Sequence, residues 1–305
     1  MKSYVFGPVP SRRLGRSLGV DLVPFKTCSY DCVYCQLGRT TCKTVERKAW
    51  VPLDDVVSQV REKLATRPDY VTLSGSGEPT LFSRLGELVS LIKGQTDVPV
   101  AVLTNGSLLW EPDVQQGIAD ADLVIPSLDA GDPSLFRHVN RPHDSIDFDQ
   151  MVQGLIEFRQ RFAGAYWLEV FLLGGMTAIP AEVDKIGRVI NRIQPDRVQL
   201  NTVTRPPAED FALPVSREDA EHYARMLSGQ AEVIADFQGV HHEGEFAAKR
   251  DDVLDLLRRR PCTVEDIAAG LAMHTNEALK YVTELLDRGA IVAENRGYHA
   301  YYKIP

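Results

Sequence analysis

The chain has 305 residues, 44% apolar and 25% charged, which is ordinary for a soluble globular protein and enough for one large domain with a small one, or two of moderate size. Its net charge of −8 excludes a general attraction to nucleic acid, so any such contact needs a local basic patch. An odd count of five cysteines, no signal-peptide run at the start and no stretch of ~18 apolar residues exclude a secreted disulfide scaffold and a membrane helix, and a cytoplasmic location is expected.

Residues 1–16 hold Gly7-Pro-Val-Pro-Ser-Arg12-Arg13-Leu-Gly-Arg16, read as a rigid basic loop. Arg12, Arg13 and Arg16 are candidates for an anionic substrate, because guanidinium offers planar, forked donors; a solvated loop is the plainer alternative. Residues 17–23 form a first strand leading into Cys28-Ser-Tyr-Asp-Cys32-Val-Tyr-Cys35, three thiols within eight residues. Such crowding predicts a loop curled around something that collects thiolates. Three thiols without a nearby His favour iron and sulfur, while a zinc loop completed by Cys42 stays open.

From residue 53 the pattern repeats as strand and helix. Helical spacing covers residues 53–65, 81–92, 149–162, 181–193 and 217–228, and extended runs cover 70–73, 98–103, 123–126, 166–173 and 197–201. With residues 19–23 these make six parallel strands, too few for an eight-fold barrel, and an open, partial α/β barrel is expected.

Polar clusters follow three of those strands. Ser74-Gly75-Ser76-Gly77-Glu78-Pro79-Thr80 combines glycines that let backbone approach a ligand with a fixed carboxylate; Thr104-Asn105-Gly106 and Ser127-Leu-Asp129 follow. Singly, each is a turn or a cap; together, beside a three-thiol loop, they predict a ligand site. Glu169 interrupts an apolar strand and is a further candidate substrate contact: it needs a partner in the lumen, the favoured orientation, or must point outward. Asn201 and Arg205 close the last strand as candidate substrate contacts. His241 and His242 follow in a linker, His241 as a candidate ligand or substrate base, against the plainer reading of a solvated pair.

Residues 241–305 are assigned to a second domain after a barrel domain over 1–240. Helices at 251–259, 267–271 and 276–288 and extended runs at 291–293 and 300–304 predict a winged helix-turn-helix. Residues 247–305 carry nine Lys or Arg and nine Asp or Glu, so no basic stripe supports nucleic-acid binding, and a substrate-presenting or protein-contacting role competes with it.

The spacing Cys28-x3-Cys32-x2-Cys35, with Tyr34 before the last thiol, resembles the signature of radical S-adenosylmethionine (SAM) enzymes. The resemblance implies a partial (β/α)6 barrel, a 4Fe-4S cluster on Cys28, Cys32 and Cys35, and SAM on the fourth iron as the source of a 5′-deoxyadenosyl radical that abstracts hydrogen. Gly75-Ser76-Gly77-Glu78-Pro79 resembles the superfamily's Gly-Gly-Glu-Pro motif, with Ser76 in place of the first Gly. The likeness assigns Tyr34, Gly77, Glu78, Pro79, Asn105, Ser127 and Asp129 to cofactor binding. Phe6-Gly-Pro-Val-Pro-Ser-Arg-Arg-Leu-Gly, Cys32–Gly38, Asn140-Arg-Pro-His143 and Gln199–Pro207 resemble the bacterial wyosine-synthase-like branch. That likeness implies a tRNA base or another nucleotide as substrate, but no cysteine precedes Cys28 to hold the second cluster of the pyruvate-using members. A low-potential donor such as flavodoxin or ferredoxin, and an RNA or protein met through the winged helix, are the implied partners. The competing reading is a regulator in which the cluster senses oxygen or iron and the winged helix acts without catalysis.

Overall fold

The computed structural model describes residues 3–11, 13–204, 207–227, 231–235, 247–259, 261–271, 273–296 and 299–305. Arg12, Arg205, His241 and His242 lie outside the described residues.

The chain opens with β1 (Val5–Ser11) and β2 (Gly15–Val20), then two short strands that frame the cysteine loop, β3 (Thr27–Cys28) and β4 (Cys42–Lys43). Helices and strands then alternate: α1 (Leu53–Lys63), β5 (Tyr70–Leu73), α2 (Leu85–Lys93), β6 (Val100–Thr104), α3 (Pro112–Ile118) and β7 (Leu123–Pro126). After α4 (Pro133–Val139) and α5 (Phe148–Arg161) come β8 (Ala165–Leu172), α6 (Pro180–Ile193), β9 (Arg197–Thr202), α7 (Arg217–Met226) and β10 (Ala231–Val233). Eight strands form one sheet in the order β1-β2-β5-β6-β7-β8-β9-β10, parallel except for β1 against β2.

The six expected strands are all present and adjacent. Their apolar runs are buried because helices cover the outer face of the sheet. In α2, Leu85, Leu88, Val89 and Ile92 share one face, and in α6 Val183, Ile186, Val189, Ile190 and Ile193 do the same. Each such side chain contributes about 1.5–3 kcal/mol by leaving water. The inner face is lined in part by Leu14, Ala101, Leu123 and Ile125, which pack together. Arg13, in the β1–β2 turn, reaches Glu169 on β8 and Gln199 on β9, so the sheet curls about a lumen.

Residues 5–11 correct the loop reading of the N-terminus. Pro8 and Pro10 lack amide hydrogens, yet β1 is an edge strand with a shifted register between Phe6 and Val9, and an edge tolerates proline. Helices α3 and α4 were not expected either. Each is seven residues long with proline in its first turn, too short for a periodic signal.

The C-terminal region holds α8 (Ala247–Arg259), α9 (Val264–Gly270), α10 (Thr275–Asp287) and an antiparallel pair, β11 (Val292–Arg296) and β12 (His299–Lys303). Thr263 and Asp266 form a capping box at α9. Val253, Leu257, Cys262, Ile267, Val282 and Leu285 build a separate core. This unit rests on the edge of the sheet: α10 packs against β1, and the His274 ring stacks on Phe6 with centroids 4.5 Å apart. Lys26 Nζ lies 3.5 Å from Glu265 Oε1, and Asn295 Nδ2 donates to Asp210 Oδ1 at 2.5 Å.

Candidate active site

The thiol loop leaves β3 and is strapped at both ends. Asp31 N donates to Asn140 O at 3.0 Å and Val33 N to Val139 O at 2.9 Å, which ties it to the end of α4. Lys26 N donates to Ser76 O at 2.7 Å, joining it to the glycine loop after β5. Lys26 (φ 59°) and Arg141 (φ 46°) flank the loop in the left-handed region, a backbone cost that such fixed connections offset. Cys28, Cys32 and Cys35 border one cavity of about 240 Å³ with Gly75–Glu78, Asn105, Ser127 and Glu169. Cys42 is exposed on β4 and does not border it, and Cys262 is buried in the C-terminal core.

The glycine loop could not carry larger residues. A Cβ on Gly77 would stand 1.7 Å from Thr27 O, and Gly75 has φ 154° with Asp21 Oδ1 at 2.7 Å from its Cβ position. Asp21 was read as one more residue of the first strand. It accepts from Ser76 N at 3.0 Å and from Ser76 Oγ, and so sets the loop's path. His274 Nε2 of the C-terminal unit lies 3.2 Å from Asp21 Oδ2.

Glu78 is 2% exposed. Its Oε1 accepts from Thr80 N, Thr80 Oγ1 and Thr104 Oγ1 at 3.0, 2.7 and 2.6 Å, whereas Oε2, among the described residues, accepts only from Asn105 N at 2.7 Å. One carboxylate oxygen is therefore filled and the other keeps acceptor capacity toward the cavity. Pro79 starts a buried one-turn helix beneath it and does not border the cavity. Burial pushes Glu78 above the usual carboxylate range, opposed by these donors.

Asn105 Nδ2 donates to Ser29 Oγ at 2.8 Å and reaches Cys28 Sγ at 3.5 Å; Asn140 Nδ2 reaches Cys32 Sγ at 3.6 Å. Ser127 borders the cavity, but Asp129 does not. Asp129 is 3% exposed and its carboxylate accepts from Tyr34 Oη at 2.5 Å, Asn140 Nδ2 at 2.7 Å and Phe171 N at 3.0 Å. Asp129, expected to meet the ribose, thus lies outside the cavity lining with two donors on Oδ2 and one on Oδ1. Tyr34 stacks on Phe171 with centroids 4.0 Å apart, away from the cavity lining. Asp129 and Tyr34 together brace the loop from behind, a partnership invisible in sequence.

Deeper in the lumen, Glu169 Oε2 accepts from Arg13 Nη1 and Nη2 at 3.0 Å and its Oε1 accepts from Asn201 Nδ2 at 2.9 Å. Three expected substrate contacts thereby converge. Arg16 does not join them: it sits at the start of β2, where its backbone N donates to Asp69 and its Nη2 to Thr66 O. The start of a parallel strand lies opposite the strand ends that carry the cavity, and that is where Arg16 lies.

The thiols fit an iron–sulfur cluster by their chemistry. Burial raises Cys28 to about 12, aided by the charge of Glu78; burial also raises Cys32, with Asp129, and Cys35. Neutral, half-buried thiols around one cavity become thiolates when a metal supplies the countercharge. Among the described residues no three His, Cys, Asp or Glu side chains converge on a single metal ion, and a cluster of several irons spans more widely spaced sulfurs than one ion does.

Residues 22–193 match the model of the radical SAM superfamily. The chain belongs to that superfamily, whose proteins are generally enzymes and use a 4Fe-4S cluster and S-adenosylmethionine. It is similar, at 32% identity over 95% of its length, to UPF0026 protein MJ1312 of Methanocaldococcus jannaschii, covering 92% of that protein. It is also 40% identical over 95% of its length to a Brachyspira hyodysenteriae protein named GTPase Obg, of which it spans 43%. A radical SAM methyltransferase from Sphaerobacter thermophilus shares the fold at a TM-score of 0.54 and 18% identity, over 72% of this chain and 67% of that one. Among the described residues no helix is long and apolar enough to cross a membrane.

Proposed function

We propose that the chain is a radical SAM enzyme with a partial (β/α)6 barrel over residues 1–240 and a winged helix-turn-helix over 241–305, in which Cys28, Cys32 and Cys35 hold the cluster. When bound, the cluster supplies the electron that splits SAM into methionine and a 5′-deoxyadenosyl radical for hydrogen abstraction. The chain's own residues bind and orient. Gly77 keeps backbone clear beside the thiols, Glu78 Oε2 accepts from the SAM amino group, and Asn105 and Ser127 hold the rest of the cofactor. Asn105 and Asn140 donate toward two of the sulfurs, which favours their charged form, while Asp129 orients Asn140 and Tyr34. Glu169, Arg13 and Asn201 meet the substrate. A low-potential flavodoxin or ferredoxin is the inferred electron source, since enzymes of the superfamily need one.

The observation that carries this reading is the set of three half-buried thiols facing one cavity together with the glycine loop. After anaerobic reconstitution, dithionite and SAM should release 5′-deoxyadenosine, detected by chromatography. Brown protein that releases none would sink the enzyme reading and favour a cluster-bearing regulator.

A further inference from the structure

The thiol loop rests on more than one core. Cys28 and Cys32 pack against the barrel core, and Val33 and Tyr34 pack with Phe171 and Leu173, whereas the half-buried Leu37, which follows Cys35 and Gln36, packs against the core of the C-terminal unit. The backbone hydrogen bonds divide in the same way. Asp31 N and Val33 N donate to the end of α4, but Cys35 N and Gly38 N donate to Cys32 O and Cys35 O, both at 3.1 Å and both within the loop. On the other flank Lys26 Nζ lies 3.5 Å from Glu265 Oε1 on α9, so the C-terminal unit reaches the loop from both sides. Leu37 is also a partition. It borders the thiol cavity and two cavities between the units, of about 290 Å³ and 120 Å³, and Leu279 on α10 borders both of the latter. Leu279 is 7% exposed within the C-terminal core.

We infer that Leu37 is a positioning residue through which the C-terminal unit holds the Cys35 end of the loop, so that docking of this unit sets how firmly the loop keeps its iron. That a cluster is what Leu37 guards rests on the reading of the three thiols as its ligands; that the C-terminal unit holds the loop does not. The apolar shell around a metal site controls its access to solvent, and truncating Leu37 thins that shell on the C-terminal side and joins the cavities it separates. Undocking of one unit is a local opening that costs less than global unfolding, so the lability of the Cys35 end follows docking rather than overall stability.

The full-length, reconstituted chain is mixed under argon with the iron chelator bathophenanthroline disulfonate, and iron release is timed by the colour of the complex. Leu37→Ala speeds release about tenfold, the packing of one half-buried leucine, and Leu279→Ala does the same from the opposite wall. Leu37→Met, which keeps the volume, stays within about twofold of the wild type. The double alanine variant is no faster than Leu37→Ala alone, since both changes loosen the same packing. Should Leu279→Ala fail to fold by circular dichroism, Leu279→Val takes its place with a smaller acceleration. In the cluster-free chain, read by NMR, both alanine variants speed exchange of the Gly38 amide about tenfold and leave the Val33 amide, tied to α4, unchanged. Unchanged iron release in Leu37→Ala, acceleration by Leu37→Ala with none by the Leu279 variant, or Gly38 and Val33 accelerating together overturns the inference, the last because the whole loop then loosens. A wild type that takes up no iron overturns the cluster reading, and the Gly38 and Val33 amides then decide the positioning by themselves. Release of 5′-deoxyadenosine is scored apart: its absence, with the variants behaving as expected, overturns the enzyme reading alone.

Discussion

The barrel and the C-terminal unit hold their polar groups in opposite ways. Behind the thiols, Glu78 and Asp129 are buried and each accepts three or more protein donors, and Asp21 is shared by the backbone and side chain of Ser76. The C-terminal unit meets the barrel by packing, α10 on β1 and Leu37 in the C-terminal core, and by polar pairs that stand apart from one another, among them His274 with Asp21, Glu265 with Lys26 and Asn295 with Asp210. Saturated, mutually braced groups fix a site before any ligand arrives. Isolated contacts let one unit move against another at small cost, as inter-domain surfaces commonly do.

The braced region should fail abruptly. Cys32→Ala is expected to abolish both the brown colour and 5′-deoxyadenosine release, read by absorbance and chromatography; full cleavage in that variant would refute the ligand assignment. Gly77→Ala comes next, because its methyl group would enter the space of Thr27 O, which is backbone and cannot swing aside. We expect SAM affinity to fall about 100-fold or more by equilibrium dialysis, near 3 kcal/mol. An alanine variant that binds SAM normally would show that the glycine loop yields, contrary to its bracing.

A pH series probes the same contrast more finely. Burial raises Asp129 from 3.8 to about 6, so its folded pKa exceeds its unfolded one. Between those values the unfolded chain has already lost the proton that the folded chain keeps. Stability therefore falls as pH rises through about 4 to 6 and levels off above, by up to about 3 kcal/mol. Urea unfolding of the cluster-free protein checks this, and Asp129→Asn should flatten the slope. An unchanged slope would place the effect elsewhere.

How much of this was legible follows the same division. The six parallel strands and the long helices declared themselves because their apolar faces repeat at periods of 2 and 3.6. The thiols, Gly77 and Glu78 could be read because their chemistry is unusual at that spacing. What escaped were partnerships between distant residues: Asp21 with Ser76, Asp129 with Tyr34 and Asn140, and Arg13 with Glu169 across the lumen. A lone Asp in a strand carries no local sign of the donor it will meet after the sheet curls. β1 escaped for a different reason, since Pro8 and Pro10 read as loop until the strand is known to lie at an edge.

The smallest effect is expected at the junction itself. His274→Phe keeps a ring on Phe6, but it removes the contact with Asp21 and the acceptor Nδ1 that caps the Asn276 amide at the start of α10. Losing one hydrogen bond and one cap should cost about 1–2 kcal/mol in urea unfolding. Because Asp21 keeps both Ser76 donors, SAM affinity should stay within about threefold of the wild type, a change near 0.6 kcal/mol. If affinity instead falls together with stability, the glycine loop depends on the C-terminal unit for its shape, and the two regions are a single braced structure.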